Sequence, residues 1–244
     1  MSLILWIFDL GYLMQHLGTI LQIQKIETKR SIEGVCVDTQ ILFLIGTFAR
    51  TFWITDTLLK DFFLTYIELL LSYVLLGYTL YLCLWKYNDF TVLDNLNRKE
   101  IPIYFRWYVI FAISAVLSYF YYPGHEGNSL DFYVFDLQML VSLNIYAEAG
   151  GLLPQIIVVN KEKDSSNVSQ YYIVFLSFSR ICRLMFWVKM YTEDNSFIFL
   201  MVADFLHSIM VSGFIYTFFK NLNKLTLPTI NKGYNSDTDK KKVF

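Results

Sequence analysis

The sequence predicts an all-α integral membrane protein with seven transmembrane helices. Hydrophobic residues make up 55 % of the 244 residues and charged residues only 17 %, whereas a soluble domain carries about 25 % charged residues. Seven apolar segments also reach the length of about 20 residues that a helix needs to cross a bilayer. This composition argues against a soluble enzyme, and the 22 Phe, 18 Tyr and 5 Trp argue against a disordered protein.

The seven predicted spans are joined by short connections. In chain order they are Leu3–Ile23, Gln40–Leu58, Phe63–Trp85, Tyr104–Tyr122, Phe132–Val159, Tyr171–Tyr191 and Phe197–Lys220. No apolar run follows Asn221, which predicts a membrane domain over residues 1–221 and a polar tail over residues 222–244. The first span has no basic start and no small-residue cleavage site after it, so we expect it to remain as a helix.

Basic residues predict the orientation of the chain. The first, third and fifth connections and the tail are rich in Lys and Arg, whereas the connections on the opposite side contain only Lys60. Because cytoplasmic loops are enriched in basic residues, the N-terminus is expected in the lumen and the C-terminus in the cytosol.

A short internal match predicts two repeats. Thr39-Gln40 precedes Arg50 at the same spacing at which Ser169-Gln170 precedes Arg180, at the start of the second and sixth spans. This pattern indicates two parallel three-helix repeats, spans 1–3 and 5–7, linked by span 4. Transporters often bind their substrates between such repeats.

The fifth span contains a proline preceded by two glycines. Pro154 removes a backbone hydrogen bond and predicts either a packing kink or a hinge. Gly150 and Gly151 just before it are expected to let a neighbouring helix approach closely.

Ionisable residues within the spans are costly to bury and need a polar partner or cavity. They are Asp9, Arg50, Glu68, Asp136, Glu148, Arg180, Arg183, Lys189 and Asp204. Arg50, Glu148 and Arg180 lie deepest. Since arginine keeps its charge and Glu148 can neutralise only one of the two arginines, these residues together with Arg183 predict a surplus of positive charge. The alternatives are a closed ion-pair network and a pocket in which a ligand carboxylate docks on arginine.

One face of the first span is polar. Asp9, Tyr12 and His16 share it by helical spacing, and a histidine titrates near physiological pH, so His16 is a candidate for a titrating role. No nucleophilic triad, Gly-rich phosphate loop or metal-ligand cluster is visible, so we expect no catalytic residues, no cofactor and no metal. The net charge of −1 gives no support for nucleic-acid binding.

Four stretches together resemble one known family. They are Thr39-Gln40-Ile41-Leu42-Phe43 through Arg50, Ile145-Tyr146-Ala147-Glu148 through Gln155, Arg180 with Trp187 and Tyr191, and Lys224-Leu225-Thr226-Leu227-Pro228. The chain resembles the KDEL receptors, the ER lumen protein-retaining receptors, over nearly its whole length up to Pro228.

The resemblance implies a fold similar to SWEET and PQ-loop proteins, with a lumenal N-terminus and residence in ER and Golgi membranes. It also implies a receptor that binds the C-terminal Lys-Asp-Glu-Leu-type signal of escaped ER proteins in acid and returns them in COPI vesicles. The expected partners are therefore such a C-terminal peptide, the COPI coat at cytosolic lysines, and membrane lipid.

Residue by residue, the resemblance implies that Arg50, Glu148, Arg180 and Trp187 bind the ligand. Arg183 adds positive charge beside them. The family has an arginine where this chain has Leu5. Further family side chains are replaced at Ser179, Arg183, Phe186 and Met190.

The pH-sensing position also departs from the family. Tyr12 stands where the family has a histidine that senses pH, and a free tyrosine titrates near pH 10. The candidates for sensing pH are therefore Tyr12 itself, at the family position, and His16, one turn further on.

The C-terminus carries a second signal. Lys241 and Lys242 are the fourth and third residues from the end, a placement similar to a dilysine COPI retrieval signal, the alternative being a basic tail near anionic lipid. Two other functions stay open beside the receptor: a SWEET-like small-solute transporter and a trafficking protein without a lumenal ligand.

Overall fold

The protein is described here by a computed structural model that covers residues 2–32, 34–55, 63–87, 101–122, 137–161, 170–193 and 197–226. Within these ranges the helices are α1 (Ser2–Lys29), α2 (Val37–Thr55), α3 (Phe63–Tyr81), α4 (Trp107–Phe120), α5 (Leu137–Lys161), α6 (Gln170–Glu193) and α7 (Ile198–Thr226). A π-helical turn, Leu82–Lys86, extends α3, and a 3₁₀ turn, Ile103–Phe105, precedes α4.

The described ranges contain helices and connections but no strand, so the prediction of an all-helical fold is confirmed. Each α-helix falls on one predicted span. Parts of two spans, residues 56–58 and 132–136, lie outside the described residues, as does the end of the tail with Lys241 and Lys242.

Two stretches of the described chain are long and apolar enough to cross a membrane by length and composition. They are Phe63–Lys86, which is α3 with its π-helical extension, and Met139–Val158 within α5. Trp107–Phe120 and Ile198–Gly213 are shorter apolar helices.

Six helices close into a ring, and α4 packs outside it. Around the ring the order is α1, α3, α2, α5, α7, α6, each helix packing on the next and α6 returning to α1. The third helix in the chain therefore lies between the first two, and α7 likewise lies between α5 and α6. Helix α4 packs on α5 and touches α2.

Glycines let α1 and α6 pack with their backbones close together. A Cβ atom on Gly11 would lie 3.1 Å from the carbonyl oxygen of Ser179, and one on Gly18 would lie 3.2 Å from that of Tyr172. Small residues at helix contacts in membranes permit this approach. It brings the polar face of α1 into the interior of the ring, next to α6.

The two glycines before Pro154 pack as the sequence predicts. A Cβ atom on Gly150 would lie 2.5 Å from Cγ2 of Ile110 on α4, and one on Gly151 would lie 3.1 Å from Cβ of Leu42 on α2. The expected close helix approach is therefore confirmed. Pro154 lies inside α5, which continues to Lys161.

We expect Gly150→Ala to destabilise the packing of α4 on α5. The added methyl group meets a β-branched side chain with little freedom to move, and overpacking of this kind costs about 1–3 kcal/mol. Thermal unfolding in detergent should show a Tm lower by at least about 2 °C. Gly77→Ala is the matched control, since no atom lies within 4 Å of its Cβ position. Equal Tm values for the two variants would contradict the close α4 contact.

Hydrogen bonds tie the connection between α1 and α2 to α5, and the first turn of α2 to α4. The side-chain amide of Gln155 on α5 donates a hydrogen bond to the carbonyl oxygen of Gly34, and its Oε1 accepts one from the backbone N–H of Cys36 at 2.9 Å. The carboxylate of Asp38 accepts a hydrogen bond of 3.2 Å from the N–H of Trp107 at the start of α4. Gly34 has a positive φ of 84°, a conformation that suits glycine.

At the same end of the bundle, one carboxylate joins α1 to the end of α3. Glu27 accepts hydrogen bonds from Lys86 at 2.7 Å and from the hydroxyls of Tyr78 and Tyr87 at 2.6 Å. These hydrogen bonds, that of Lys86 first, lower the pKa of Glu27 to about 2. The carboxylate therefore stays ionised throughout the physiological pH range.

Candidate functional site

The predicted site residues meet inside the ring. Arg50 on α2, Glu148 on α5, and Arg180 and Arg183 on α6 are each at most 2 % exposed. On α1, Asp9, Tyr12 and His16 are also buried, which confirms that these three share one inward face. Most of the buried charges form two clusters, and Tyr12 contacts both.

The first group is called the Arg50 cluster and consists of Arg50, Glu68, Ser72 and His16. Nη2 of Arg50 donates to Oε1 of Glu68 at 2.8 Å and to Oγ of Ser72 at 2.9 Å. Nε2 of His16 lies 2.8 Å from the same Oε1. Glu68 is fully buried, so its charge is balanced inside the protein by Arg50, with His16 as a second contact.

The second group is called the Glu148 cluster and consists of Glu148, Arg180, Arg183, Asp204 and His207. Oε2 of Glu148 accepts hydrogen bonds from Nη1 of Arg180, at 3.1 Å, and from Nη1 of Arg183. Nη2 of Arg183 lies 3.3 Å from Oδ1 of Asp204. Nη1 of Arg180 is 3.4 Å from Nδ1 of His207, which can only accept from a guanidinium at that nitrogen.

Two uncharged residues of α1 contact the buried arginines. The ring centroid of Tyr12 lies 3.6 Å from Cζ of Arg50 and 4.9 Å from Cζ of Arg183, within cation–π distance of both. Oε1 of Gln15 accepts a hydrogen bond of 2.8 Å from Nη2 of Arg180. Tyr12 therefore joins the two clusters without adding charge.

Asn144 on α5 contacts Tyr12 and the Glu148 cluster. Its amide is satisfied when the nitrogen faces Oε1 of Glu148 and the carbonyl oxygen of Gly46, both at 3.1 Å. The other end of the amide then lies about 3.3 Å from the hydroxyl of Tyr12, where it accepts a hydrogen bond. Asn144 therefore fixes the Tyr12 ring relative to Glu148.

The structure places Trp187 in an apolar cluster beside the charges. Its ring centroid lies 4.9 Å from that of Phe186 and 6.3 Å from that of Phe197. Phe8 and Tyr12 belong to the same buried cluster. Trp187 therefore supplies an apolar wall next to the ring that contacts Arg50 and Arg183.

The predicted surplus of positive charge is wrong for the described residues. The three buried arginines face three buried carboxylates, namely Glu68, Glu148 and Asp204. Glu148 serves Arg180 and Arg183 together, and Arg50 pairs with Glu68 instead. The prediction failed because Glu68 and Asp204 reach the arginines from α3 and α7, whose places in the ring do not follow from the spacing of residues along the chain.

Several residues of the site were not predicted as such. Glu68 and Asp204 had a visible signal, since each is an acidic residue within an apolar span. Ser72 and Asn144 had none, because a serine or asparagine in a helix is common and its partner depends on helix packing. His207 lies one turn after Asp204 and, like it, faces α6.

The three arginines of the two clusters cannot be reached from outside in this arrangement. Arg50, Arg180 and Arg183 are each at most 1 % exposed, and Trp187 is 2 % exposed. A ligand of the size of a peptide therefore contacts them only after helices of the ring move apart. Any such opening also brings water to charges that are now paired in a dry interior.

Comparison with known proteins matches one family. The family described as ER lumen protein retaining receptor matches residues 31–190. ER lumen protein-retaining receptor 3 of Mus musculus is 26 % identical over 231 residues, which cover 90 % of this chain and 96 % of the relative. The ER lumen protein-retaining receptor of Dictyostelium discoideum is 29 % identical over 226 residues, covering 88 % and 95 %.

A plant relative is also similar to this chain over nearly its whole length. ER lumen protein-retaining receptor B of Arabidopsis thaliana is 26 % identical over 234 residues, covering 91 % of this chain and 99 % of the relative. The family match includes α2 to α5 and most of α6, and so contains Arg50, Glu148 and the two arginines of α6. With a family match over well more than half of its length, the chain belongs to the ER lumen protein retaining receptor family.

Proposed function

We propose that the chain is a membrane receptor for C-terminal Lys-Asp-Glu-Leu-type signals, which captures escaped ER lumenal proteins and returns them from the Golgi to the ER in COPI vesicles. The observation that carries this proposal is the set of three buried arginines inside a bundle that belongs to this family. A Lys-Asp-Glu-Leu end carries two acidic side chains and a free C-terminal carboxylate and is therefore an anion, and the guanidinium of arginine binds carboxylates bidentately.

We place all seven helices across the ER and Golgi membranes, with the N-terminus in the lumen and the C-terminus in the cytosol. The distribution of side chains supports this proposal, because charged groups lie inside the ring while, among the side chains that the structure describes, large apolar residues are exposed on every helix but α5. Soluble proteins rarely expose apolar surface on this scale. Helix α5 has α2, α4 and α7 packed around it.

We further infer that the bundle is built from two parallel three-helix repeats, α1–α3 and α5–α7, linked by α4. The packing order supports this, since the third helix of each triplet lies between the other two and the first helix of each packs on the second helix of the other. Arg50 and Arg180 lie on the corresponding second helices of the two triplets, α2 and α6, which agrees with it.

The ligand in this proposal binds between the repeats, at Arg50, Arg180 and Arg183, with Glu148 holding the two arginines of α6 and Trp187 forming an apolar wall. Because these residues are buried, binding selects an arrangement in which the ring is open. The same shift would present the cytosolic lysines, including Lys241 and Lys242, to the COPI coat.

The test is binding of labelled peptides that end in Lys-Asp-Glu-Leu or His-Asp-Glu-Leu to the purified full-length protein, at about pH 5.5 and about pH 7.5. The control peptides have the same sequences with an amidated C-terminus. We expect saturable binding that requires the free carboxylate. If neither peptide binds at either pH, the receptor function is wrong for this chain.

A further inference from the structure

We propose that Asp204 on α7 accepts a positively charged side chain of the ligand. The site thereby selects peptides that carry a basic residue close to their free C-terminal carboxylate. This inference rests on the proposed function and names, for the same site, the group that receives the cation of the ligand.

Asp204 is a buried carboxylate whose oxygens lack hydrogen bonds. Its exposed fraction is 0 %, and neither Oδ1 nor Oδ2 forms a hydrogen bond. The other buried carboxylates that the structure describes each accept at least one, namely those of Asp9, Asp38, Glu68 and Glu148. Because roughly nine in ten buried polar groups in proteins are hydrogen-bonded, Asp204 stands out as a carboxylate prepared to accept donors from a further group.

The groups around Asp204 are also incompletely paired. Nη2 of Arg183 lies 3.3 Å from Oδ1 of Asp204 without forming a hydrogen bond, and Nε of Arg183 forms none either. One turn further along α7, Nδ1 of His207 faces Arg180 at 3.4 Å, which leaves the hydrogen of the neutral ring on Nε2. That Nε2 is buried and forms no hydrogen bond within the described residues. Such a set is expected to bind polar groups that the protein does not itself supply.

The charges of the site explain why the incoming group is a cation. Arg183 is the arginine in contact with Asp204, and it is also one of the arginines that bind carboxylates of the ligand in the proposed function. A ligand carboxylate on Arg183 therefore competes with Asp204 for its counter-ion. Because a buried carboxylate without a cation is strongly destabilising, a ligand that also brings a cation to Asp204 restores the balance of charge.

The other two carboxylates of the clusters keep a partner when a ligand binds. Glu68 still accepts a hydrogen bond of 2.9 Å from Oγ of Ser72 if a ligand takes Arg50. Glu148 accepts hydrogen bonds from Arg180 and Arg183 together, so it retains one arginine if the other turns to the ligand. Asp204 is therefore the carboxylate that depends most on a cation from the ligand.

A short peptide is long enough to reach both places. The ring centroid of Tyr12 lies 3.6 Å from Cζ of Arg50 and 4.9 Å from Cζ of Arg183, so both guanidiniums contact one ring, and Arg183 contacts Asp204 in turn. Four extended residues span about 14 Å. A peptide with its terminal carboxylate on Arg50 therefore reaches Asp204 with a side chain a few residues upstream, and in Lys-Asp-Glu-Leu the lysine supplies that cation.

The experiment is a cycle of two peptides and two full-length proteins. The peptides are N-acetylated, end in Lys-Asp-Glu-Leu or Gln-Asp-Glu-Leu and have no other charged residue, so they differ by one cation. The proteins are the natural chain and Asp204→Asn. We expect the natural chain to bind the lysine peptide at least about tenfold more tightly, the effect of one hydrogen bond between charged groups. Asp204→Asn should bind the two peptides with nearly equal affinity.

Asp9→Asn is the matched control, because it neutralises another fully buried carboxylate, one that accepts hydrogen bonds from Thr65. It should keep the preference for the lysine peptide. Loss of the preference in Asp9→Asn, or its persistence in Asp204→Asn, would overturn the assignment of Asp204. Equal affinities of the natural chain for the two peptides would overturn the inference and leave the receptor function standing. Absence of binding to the natural chain would overturn both.

A second measurement uses the natural chain alone and so does not depend on the folding of a variant. A membrane-permeant carbodiimide joins an amine to a carboxylate with which it is in contact, and the lysine is the only amine of the acetylated peptide. After treatment of the saturated complex, mass spectrometry should find this lysine joined to Asp204. A cross-link to a different carboxylate, or none at all, would contradict the inference.

Discussion

Replacing Arg50 with alanine is expected to abolish binding of a peptide with a free C-terminal carboxylate. The guanidinium of Arg50 is proposed to donate two parallel hydrogen bonds to that carboxylate. A lysine ammonium is a single point charge and does not supply this pair of donors. Loss of a hydrogen-bonded charge pair in a desolvated site costs about 2–5 kcal/mol, which corresponds to a loss of affinity of at least about 30-fold. Fluorescence binding with labelled peptide measures this loss.

The alanine variant alone would leave the buried Glu68 without its main cation, so it could also lose stability. Arg50→Ala combined with Glu68→Gln removes that stranded charge and is expected to fold but not to bind. Lys189→Ala is the control, since Lys189 is a half-exposed cation of α6 whose ion pair within the described residues is with Glu193 on the same helix. This variant should change neither property. Binding of normal affinity by the folded double variant would show that Arg50 is not a ligand residue.

Replacing Glu148 with glutamine is expected to cause the largest loss of stability of any single change described here. Its carboxylate accepts hydrogen bonds from two buried arginines, and breaking a buried ion pair typically costs about 3–5 kcal/mol. Thermal unfolding in detergent should therefore show a Tm lower by at least about 6 °C.

Two further variants test whether this loss of stability comes from the carboxylate that Arg180 and Arg183 share. Asp204→Asn should lower the Tm less, because Asp204 faces only Arg183, at 3.3 Å and without a hydrogen bond. Glu193→Gln changes an exposed carboxylate and should leave the Tm unchanged. A Tm of Glu148→Gln close to that of Glu193→Gln would contradict the arrangement of the Glu148 cluster.

Much of this fold was accessible from the sequence, because apolar runs of membrane length are a strong signal. Each of α1 to α7 lies on one of the seven predicted spans, although α1 and α7 extend beyond the predicted ends. The residues that are most costly to bury, Arg50, Glu148 and Arg180, do lie together in the interior. The inward face of α1 followed from helical spacing alone. These features depend on the composition of single helices, which the sequence displays directly.

The pairing of the charges was not accessible, because it depends on which helices are neighbours and at what height. Arg50 pairs with Glu68 because α3 lies between α1 and α2 in the ring. No local pattern in the sequence indicates this order of the helices. The hydrogen bonds of the Gln155 side chain to the backbone of Gly34 and Cys36 could not be predicted either. A side chain that binds a backbone group leaves no complementary residue to search for in the sequence.

The division of the charges into two clusters has a consequence for biosynthesis. All members of the Arg50 cluster belong to α1, α2 and α3, and all members of the Glu148 cluster belong to α5, α6 and α7. In the proposed placement of the helices across the membrane, a nascent chain that has released only its first three helices into the bilayer already holds the carboxylate that neutralises Arg50. The later helices bring their own counter-ions in the same way, so neither half has to keep an unpaired arginine in lipid while translation proceeds.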